Sequence, residues 1–291
     1  MRSPNPLPTS AHLALEDSEA NNVGLLLMAH GGGQEWNDRA KASVAGLRDR
    51  IPVSVAFGMA DPHTLQASLD ALRDRGVGTV VVVRLFVSGA SFLHPTEYLL
   101  GLRSDPPAWG MIGHRPVDGS ELEPLRTDAR ILLDRQGLGG SDQAARILLA
   151  RANANASVPA ETGVLLIAHG MGDEGENRDV LASMEEAAAV VRENGFAEVR
   201  VATLREDWAA ARATAEHDIK ATVARMQKEH ATVVVVPYRV SGFGPYASVL
   251  DGLDYVGTQG LLPHPLVTEW IAARATESLC AAGLSSPLGA C

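Results

Sequence analysis

The chain has only two cysteines and no long apolar run, which excludes several classes of protein. Cys280 and Cys291 both lie near the C-terminal end, so they cannot form the scaffold of a disulfide-stabilised domain. No run approaches the roughly 20 apolar residues that a membrane-spanning helix needs. Hydrophobic residues nevertheless make up 46% of the 291 residues. We therefore expect a folded protein with a large buried core, not a disordered one.

Positive charge is also scarce, because 25 lysines and arginines stand against 35 acidic residues, for a formal net charge of −10. This balance argues against nucleic acid and against an anionic membrane as partners. Arginine, whose planar fork suits carboxylates, supplies all but three of the basic side chains. Residues 1–22 lack the basic start and apolar segment of a secretory signal. We expect them to form a loose tail on a cytoplasmic protein.

The sequence contains one internal repeat. Residues 24–31 (GLLLMAHG) match residues 163–170 (GVLLIAHG), and residues 80–89 match residues 233–242, each of which ends in Val-Ser-Gly. Two similar segments in the same order indicate two copies of one fold. The predicted division is a tail over 1–22, a first copy over 23–136, a linker over 137–160, a second copy over 161–279 and a C-terminal tail over 280–291.

Each copy alternates between strand-like and helix-like segments. Leu25–Ala29 and Val80–Val83 are continuous aliphatic runs, as in parallel strands that are buried on both faces. Asp61 and Pro62 are typical of a helix N-cap and the first helical residue. The alternation predicts an α/β fold with two tandem, doubly wound parallel sheets. Ligands bind at the C-terminal ends of the strands in such sheets, where both His-Gly and both Val-Ser-Gly turns fall.

His30 is the first candidate functional residue. It ends a predicted buried strand and precedes three glycines at 31–33, so its side chain can point into a cleft. A neutral imidazole there can bind a metal ion or accept a proton. The alternative is a histidine that only hydrogen-bonds the next loop. The glycines also allow a phosphate site, but neither a Walker lysine nor a spaced GxGxxG accompanies them.

His94 is the second candidate, in the loop after the other strand end. The ends of parallel strands can converge, so His30 and His94 can share one metal ion, and Glu97 can face the same side if a helix begins at Pro95. Two imidazoles and a carboxylate suit Fe²⁺, Co²⁺, Ni²⁺ or Zn²⁺. Alternatively, His94 is a surface residue at a helix cap. The second copy has His169 but no counterpart of His94, so the predicted metal site is asymmetric.

The ordered set of motifs resembles the class II tetrapyrrole chelatases of the CbiX/SirB type, the sirohydrochlorin cobalt- and iron-chelatases, in a two-copy form. The resemblance covers residues 23–275. It implies insertion of a divalent metal, cobalt or iron, into sirohydrochlorin or a similar tetrapyrrole in a cleft between the copies. Nickel suits the same ligands, and neither ATP nor an organic cofactor is implied. We therefore predict His30, His94 and Glu97 as catalytic residues, with His30 and His94 as metal ligands.

The chain departs from the family pattern at three positions. Gly32 stands where the family usually has Ser, and Arg84 stands where it usually has Pro. The loop histidine of the family lies near the position of Ala90, whereas His94 comes four residues later. If the second ligand is lost, the protein binds a metal or a tetrapyrrole without catalysis, and this carrier function is our alternative hypothesis.

A carboxylated tetrapyrrole needs local positive charge on an acidic protein. Arg84 and Arg239 are expected at equivalent strand ends that face the cleft, and guanidinium groups pair well with carboxylates. Alternatively, both arginines form ordinary surface ion pairs. The aromatic residues Phe243 and Tyr246 could stack on the macrocycle or, alternatively, lie in the core. The predicted substrate-binding residues are Arg84, Arg239, Gly31, Gly32, Ser88, Phe243 and Tyr246. A fused two-copy chain can supply what a dimer supplies, so the sequence is compatible with a monomer and leaves an oligomer open.

Overall fold

The computed structural model describes residues 22–113 and 115–291, so the predicted N-terminal tail lies outside the described residues except for Asn22. The strands are β1 (Val23–Ala29), β2 (Val53–Phe57), β3 (Thr79–Leu85), β4 (Trp109–Ile112), β5 (Arg115–Asp118), β6 (Arg130–Leu133), β7 (Thr162–Ala168), β8 (Glu198–Thr203), β9 (Thr232–Pro237) and β10 (Val256–Gly257). The helices are α1 (Gln34–Ala42), α2 (Pro62–Arg73), α3 (Leu93–Leu99), α4 (Asp142–Asn153), α5 (Glu174–Glu193), α6 (Ala209–Glu229), α7 (Tyr246–Val249) and α8 (Pro265–Ala281). Among the described helices, none combines the length and the apolar character that crossing a membrane requires.

Two parallel sheets of four strands repeat the same topology. The first has the order β2-β1-β3-β6, and the second, read from the matching edge, has the order β8-β7-β9-β10. The pairing register also matches, since Leu25 pairs with Val81 in the first sheet and Val164 pairs with Val234 in the second. The predicted tandem α/β architecture is confirmed, and the equivalent strands bring both His-Gly turns to the C-terminal edges of their sheets.

Burial of the central strands on both faces explains their aliphatic sequences. Every residue of β1, β3 and β7 is buried. Along β1, Leu25 and Leu27 pack into a core that also contains residues of β7 and β9, whereas Leu26 and Met28 face a separate cluster under α2. One hydrophobic core therefore joins the two copies, and each sheet has its own core on the opposite face.

The segment 137–160, which we expected to be a linker, contains α4. Ser141 caps this helix by accepting a hydrogen bond from the Ala144 N–H, and the apolar face of the helix is buried. Helix α4 packs against α5 and β9 of the second copy, while α8 packs against β3 and β6 of the first. Each copy thus covers part of the other, which explains why one core is continuous across both.

The segment 280–291, which we expected to be a tail, is also part of the fold. Cys280 lies in the last turn of α8 and forms a disulfide with Cys291 across a sequence separation of 11 residues. Leu288 is 6% exposed and belongs to the shared core. Arg50 donates a hydrogen bond to the Pro287 carbonyl over 2.7 Å. The disulfide therefore closes a short terminal loop on the surface of the first copy.

Candidate functional site

The two His-Gly turns have the same backbone conformation. Gly31 has a φ of +80° and Gly170 has a φ of +81°. Residues other than glycine rarely adopt this backbone conformation. A Cβ atom would lie 3.0 Å from the Phe57 Cβ at the first position and 2.7 Å from the Thr203 Cβ at the second. Glycine is therefore required both for conformation and for space, and it fixes the direction of each preceding histidine.

The glycine carbonyls select one tautomer of each histidine. His30 Nδ1 lies 2.7 Å from the Gly31 carbonyl oxygen, and His169 Nδ1 lies 2.8 Å from the Gly170 carbonyl oxygen. A carbonyl can only accept, so Nδ1 carries the proton, and in the neutral ring the lone pair is on Nε2. The His30 ring is exposed and tilted against Trp36, with 6.5 Å between ring centres. Its Nε2 can therefore receive a proton or a metal ion.

The two histidines differ in what faces Nε2. His169 Nε2 lies 3.1 Å from the Asp207 carboxylate, whereas no described residue forms a hydrogen bond or ion pair with His30 Nε2. The first-copy residue that matches Asp207 is Asp61, four positions after the strand residue that pairs with the end of β1. Asp61 is 3% exposed and does not face His30 with a free carboxylate, because it accepts backbone hydrogen bonds at the start of α2 and from Gly113.

An asparagine closes each turn, which the sequence analysis missed. The Gly32 N–H donates to Asn37 Oδ1 over 3.0 Å, and the Met171 N–H donates to Asn177 Oδ1 over 3.0 Å. The signal was present in the repeat, since these asparagines follow their histidines by seven and eight residues. The Gly32 N–H is thus already satisfied, which removes one donor from the alternative phosphate site at residues 31–33.

His94 has one of its two ring nitrogens, Nε2, engaged by the protein. It lies in the first turn of α3, and its Nε2 faces Asp105, at 3.2 Å from the carbonyl oxygen and 3.4 Å from Oδ2. Within the described ranges 22–113 and 115–291, no cluster places ligand atoms of His30, His94 and Glu97 within 4.8 Å of one another. The structure therefore does not assemble the predicted three-residue metal site.

Glu97 is occupied by arginines. Its side chain is 13% exposed, with Oε1 at 2.8 Å from Arg135 Nε and Oε2 at 3.2 Å from Arg103 Nη1. Both carboxylate oxygens are therefore neutralised by cations of the protein. This pairing gives Glu97 a structural role at the base of α3, and a catalytic role would require it to leave these partners.

Arg84 is corrected from a substrate-binding residue to a structural one. Its position in β3 opposite Met28 corresponds to Pro237 opposite Ile167 in the second copy, so Arg239 is not its counterpart. Arg84 is 1% exposed, and burial lowers its pKa to about 10 although the charge of Asp134 opposes the shift. Its guanidinium donates to the carbonyl oxygens of Gly89, Ser91, Asp134 and Arg135. All three of its nitrogens are therefore used to hold the loop that leads to α3.

The second-copy residues of the predicted substrate site are largely engaged with one another. Arg239 forms an ion pair with Glu206 and retains 29% exposure of its side chain. Tyr246 is fully buried and donates to Glu206 over 3.2 Å, so it cannot stack on a ligand and is corrected to a core residue. Half-buried Phe243 stacks on Tyr255 with 6.0 Å between ring centres. Arg239 and Phe243 keep part of their surface accessible.

The Val-Ser-Gly turns complete the two strand-end edges. Ser88 Oγ accepts from the Ala90 N–H over 3.2 Å, which stabilises the turn after β3. Ser241 Oγ lies 3.4 Å from Arg39 Nη1, a contact between the second copy and helix α1 of the first. The turn after β9 therefore contacts the helix that follows the His30 turn, and the two copies meet beside this edge.

A group of possible ligands elsewhere is better explained as an ion-pair network. Ligand atoms of Glu198, Glu229 and His230 lie within 4.8 Å of one another. Arg225, however, pairs with both glutamates, and the pKa of Glu198 is lowered to about 2, mainly by its hydrogen bond to Arg225. The network lies at the start of β8, at the opposite end of the sheet from His169. The cation that these carboxylates require is thus supplied by the chain itself.

The paired parallel sheets have the fold of solved chelatase structures. No family model and no curated protein matches the sequence. Among solved structures, SirB from Bacillus subtilis with Fe3+ matches with a TM-score of 0.65 and 15% identity, over 91% of this chain and 99% of that chain. The sirohydrochlorin chelatase SirB from Bacillus subtilis subspecies spizizenii in complex with cobalt matches with a TM-score of 0.57 and 14% identity, over 88% and 95%.

A third solved structure supports the same fold. DR2241 from Deinococcus radiodurans, a multi-domain protein with structural similarity to chelatases and two additional domains, matches with a TM-score of 0.54 and 20% identity. The match covers 87% of this chain and 54% of that one. At these identities the likeness shows the fold, which agrees with the resemblance found in the sequence.

Proposed function

We propose that the protein inserts a divalent metal ion, cobalt or iron, into sirohydrochlorin or a similar carboxylated tetrapyrrole. The observation that carries the proposal is the hydrogen bond of His30 Nδ1 to Gly31, which leaves an exposed Nε2 lone pair at the end of β1. The fold likeness to two SirB structures, one with Fe3+ and one with cobalt, supports this class of reaction.

The chemistry needs a group that binds metal weakly and accepts a proton. Metal insertion releases two pyrrole N–H protons as the M²⁺ ion enters the macrocycle, so charge is balanced without ATP. In this proposal, His30 Nε2 first holds the ion and then accepts one of these protons, and no organic cofactor takes part. A site with few protein ligands suits this task, because a closed four-ligand site would retain the ion. Nickel suits the same nitrogen ligand.

A non-catalytic metal or tetrapyrrole carrier is the second candidate. It is favoured by one observation, that Asp105 engages His94 and two arginines engage Glu97. His30 then lacks Glu97 as a ligand, and His94 can contribute only through Nδ1 or after it turns away from Asp105. A carrier binds its ligand and keeps it, whereas a chelatase releases a metallated product.

The test is insertion of Co²⁺ into sirohydrochlorin by the purified protein under anaerobic conditions, followed by the absorbance of the metallated macrocycle. His30→Ala should lower the rate by about 10²-fold or more, the usual contribution of a general base. His169→Ala is the matched control, because it removes the equivalent histidine from the same turn, and it should retain at least half of the rate.

Three outcomes decide between the candidates. A strong loss in His94→Ala would support a rearranged His30–His94 site. Binding of sirohydrochlorin without a rate above the protein-free reaction would support the carrier. Turnover by His30→Ala at the rate of the unmodified protein would overturn the proposed mechanism.

A further inference from the structure

Arg39 reaches from the first copy to the second. It lies on α1, nine residues after His30, and its Nη1 lies 3.4 Å from Ser241 Oγ in the turn after β9. Its side chain is 23% exposed, and its Nη2 pairs with Glu35, whose own side chain is 80% exposed. A cation therefore lies at the junction of the copies, beside the strand-end edge that carries the histidines.

Arg151 of α4 approaches the same junction from the other side. Ser241 pairs with Leu262, and Arg151 donates to the carbonyls on either side of residues 261–262, over 3.1 Å to Gly260 and 2.7 Å to Pro263. Arg39 and Arg151, from different helices, thus contact two adjoining segments, those around Ser241 and Leu262. The pKa of Arg151 is lowered, first by burial and then by the positive charge of Arg39.

His264 adds a neutral donor next to the arginines. It caps α8, and its Nδ1 accepts the Leu266 N–H over 3.2 Å, so the proton of the neutral ring is on Nε2. Burial and then the charge of Arg151 lower the His264 pKa, which favours this neutral form. The start of α8, a helix of 17 residues, also carries the positive end of the helix dipole.

The remaining donors of this cluster have no acceptor in the part of the chain that the structure describes. Within the described residues, Arg39 Nε, Arg151 Nη1 and His264 Nε2 form no hydrogen bond. Cations gathered in a partly buried position repel one another, and an anion that they share relieves the repulsion. Arg39 keeps one ion pair, with the exposed Glu35, whereas no carboxylate of the described residues pairs with Arg151.

We propose that Arg39, Arg151 and His264 form an anion site that binds a carboxylate of the tetrapyrrole and fixes the macrocycle across the two copies. The identity of the anion rests on the proposed function, because a carboxylate and a phosphate offer the same acceptor chemistry to these donors. The site takes over the role that the sequence analysis gave to Arg84, whose guanidinium is fully used inside the first copy.

The test uses uroporphyrin I, a porphyrin with eight carboxylates, as the probe, and binding is measured by fluorescence quenching at constant ionic strength. Arg39→Gln should weaken binding by about tenfold or more, the effect of losing a charged hydrogen-bonding group. Arg73→Gln is the matched control, because it removes the same charge from an exposed ion pair on α2 and should change binding less than twofold. Circular dichroism and thermal unfolding check that both variants fold.

A second variant tests the neutral donor by itself. His264→Asn keeps a residue that caps a helix well but removes the Nε2 donor, and we expect binding to weaken severalfold. Binding of inorganic phosphate to the same proteins is measured in parallel, to test the competing possibility of a phosphate site. If phosphate binds through Arg39 while uroporphyrin binds equally to the unmodified protein and to Arg39→Gln, the site is a phosphate site and the inference is wrong.

Failure of this inference can be separated from failure of the proposed function. If the unmodified protein binds uroporphyrin and inserts cobalt through His30, but Arg39→Gln binds as tightly as Arg73→Gln, only the anion site is overturned. If the unmodified protein neither binds the porphyrin nor inserts the metal, both the function and the anion site are overturned.

Discussion

His169 Nε2 lies 3.1 Å from the Asp207 carboxylate, whereas Asp61, the matching aspartate of the first copy, is buried away from His30 as a helix cap. Because Nδ1 of each histidine donates to a glycine carbonyl, the lone pair of a neutral His169 would face the lone pairs of Asp207. His30 has no such neighbour among the described residues, so the two copies differ in charge at otherwise equal turns.

The two matching aspartates should therefore respond differently to the same substitution. Asp61→Ala removes a helix cap and the acceptor of the Gly113 N–H, so we expect a loss of about 2 kcal/mol in the free energy of unfolding. Asp207→Ala removes an exposed ion pair and should cost less than about 1 kcal/mol. Urea denaturation of both variants measures the difference. Equal losses would contradict the assignment of separate roles.

Arg84 should matter for stability and for the order of the loop at 88–91. Arg84→Met deprives four backbone carbonyls of their donor, and we expect a loss of about 2–4 kcal/mol in the free energy of unfolding. Amide hydrogen exchange should accelerate in this loop. The control is Arg75→Met, at an exposed position after α2, which should leave both properties unchanged. A variant as stable as the control would show that Arg84 is not a structural clamp.

The repeat made the fold predictable, because long aliphatic runs such as Leu25–Ala29 reveal buried parallel strands without any knowledge of their partners. The place of His30 at a strand end followed from the same pattern. The sequence did not predict that α4 packs on the second copy and α8 on the first. An apolar helix face does not show which of two similar sheets it covers. The strand pattern in the sequence therefore predicted where the site lies, whereas long-range packing determines which residues line it.

The roles of charged residues were predictable only in part. The sequence shows that Arg84 carries a charge at a strand end, but it does not show that the backbone turns its carbonyls toward the guanidinium. The same limit applies to His94, whose partner Asp105 lies eleven residues away in a loop without a repeat counterpart. Hydrogen-bond partners that come from irregular segments decide whether such a side chain faces a ligand or the protein.

Acid should destabilise the fold through Glu198. Its pKa of about 2 in the folded protein lies below the ordinary glutamate value of 4.5, mainly because Arg225 donates a hydrogen bond to it. A lowered pKa means that the stabilisation is complete above about pH 4.5 and is lost as the pH falls from there through about 2. Glu198→Gln should lower the free energy of unfolding by about 2–3 kcal/mol at pH 7 and flatten its decrease in this range. Guanidinium denaturation at several pH values gives the profile, and the exposed Glu193→Gln variant should keep the original slope.

The disulfide between Cys280 and Cys291 should stabilise the C-terminal segment but not the copies themselves. Closing a loop with a sequence separation of 11 contributes about 3 kcal/mol at most in the chain-entropy estimate. Cys291→Ser should accelerate amide exchange in residues 282–291 and leave the exchange of β1 and β7 unchanged. The expected cytoplasmic location bears on this bond, because cytosolic thiols are mostly kept reduced. Alkylation of free thiols before cell lysis, followed by mass spectrometry, measures the bonded fraction. A Cys291→Ser variant with exchange identical to that of the unmodified protein would show that the packing of Leu288 alone holds the segment.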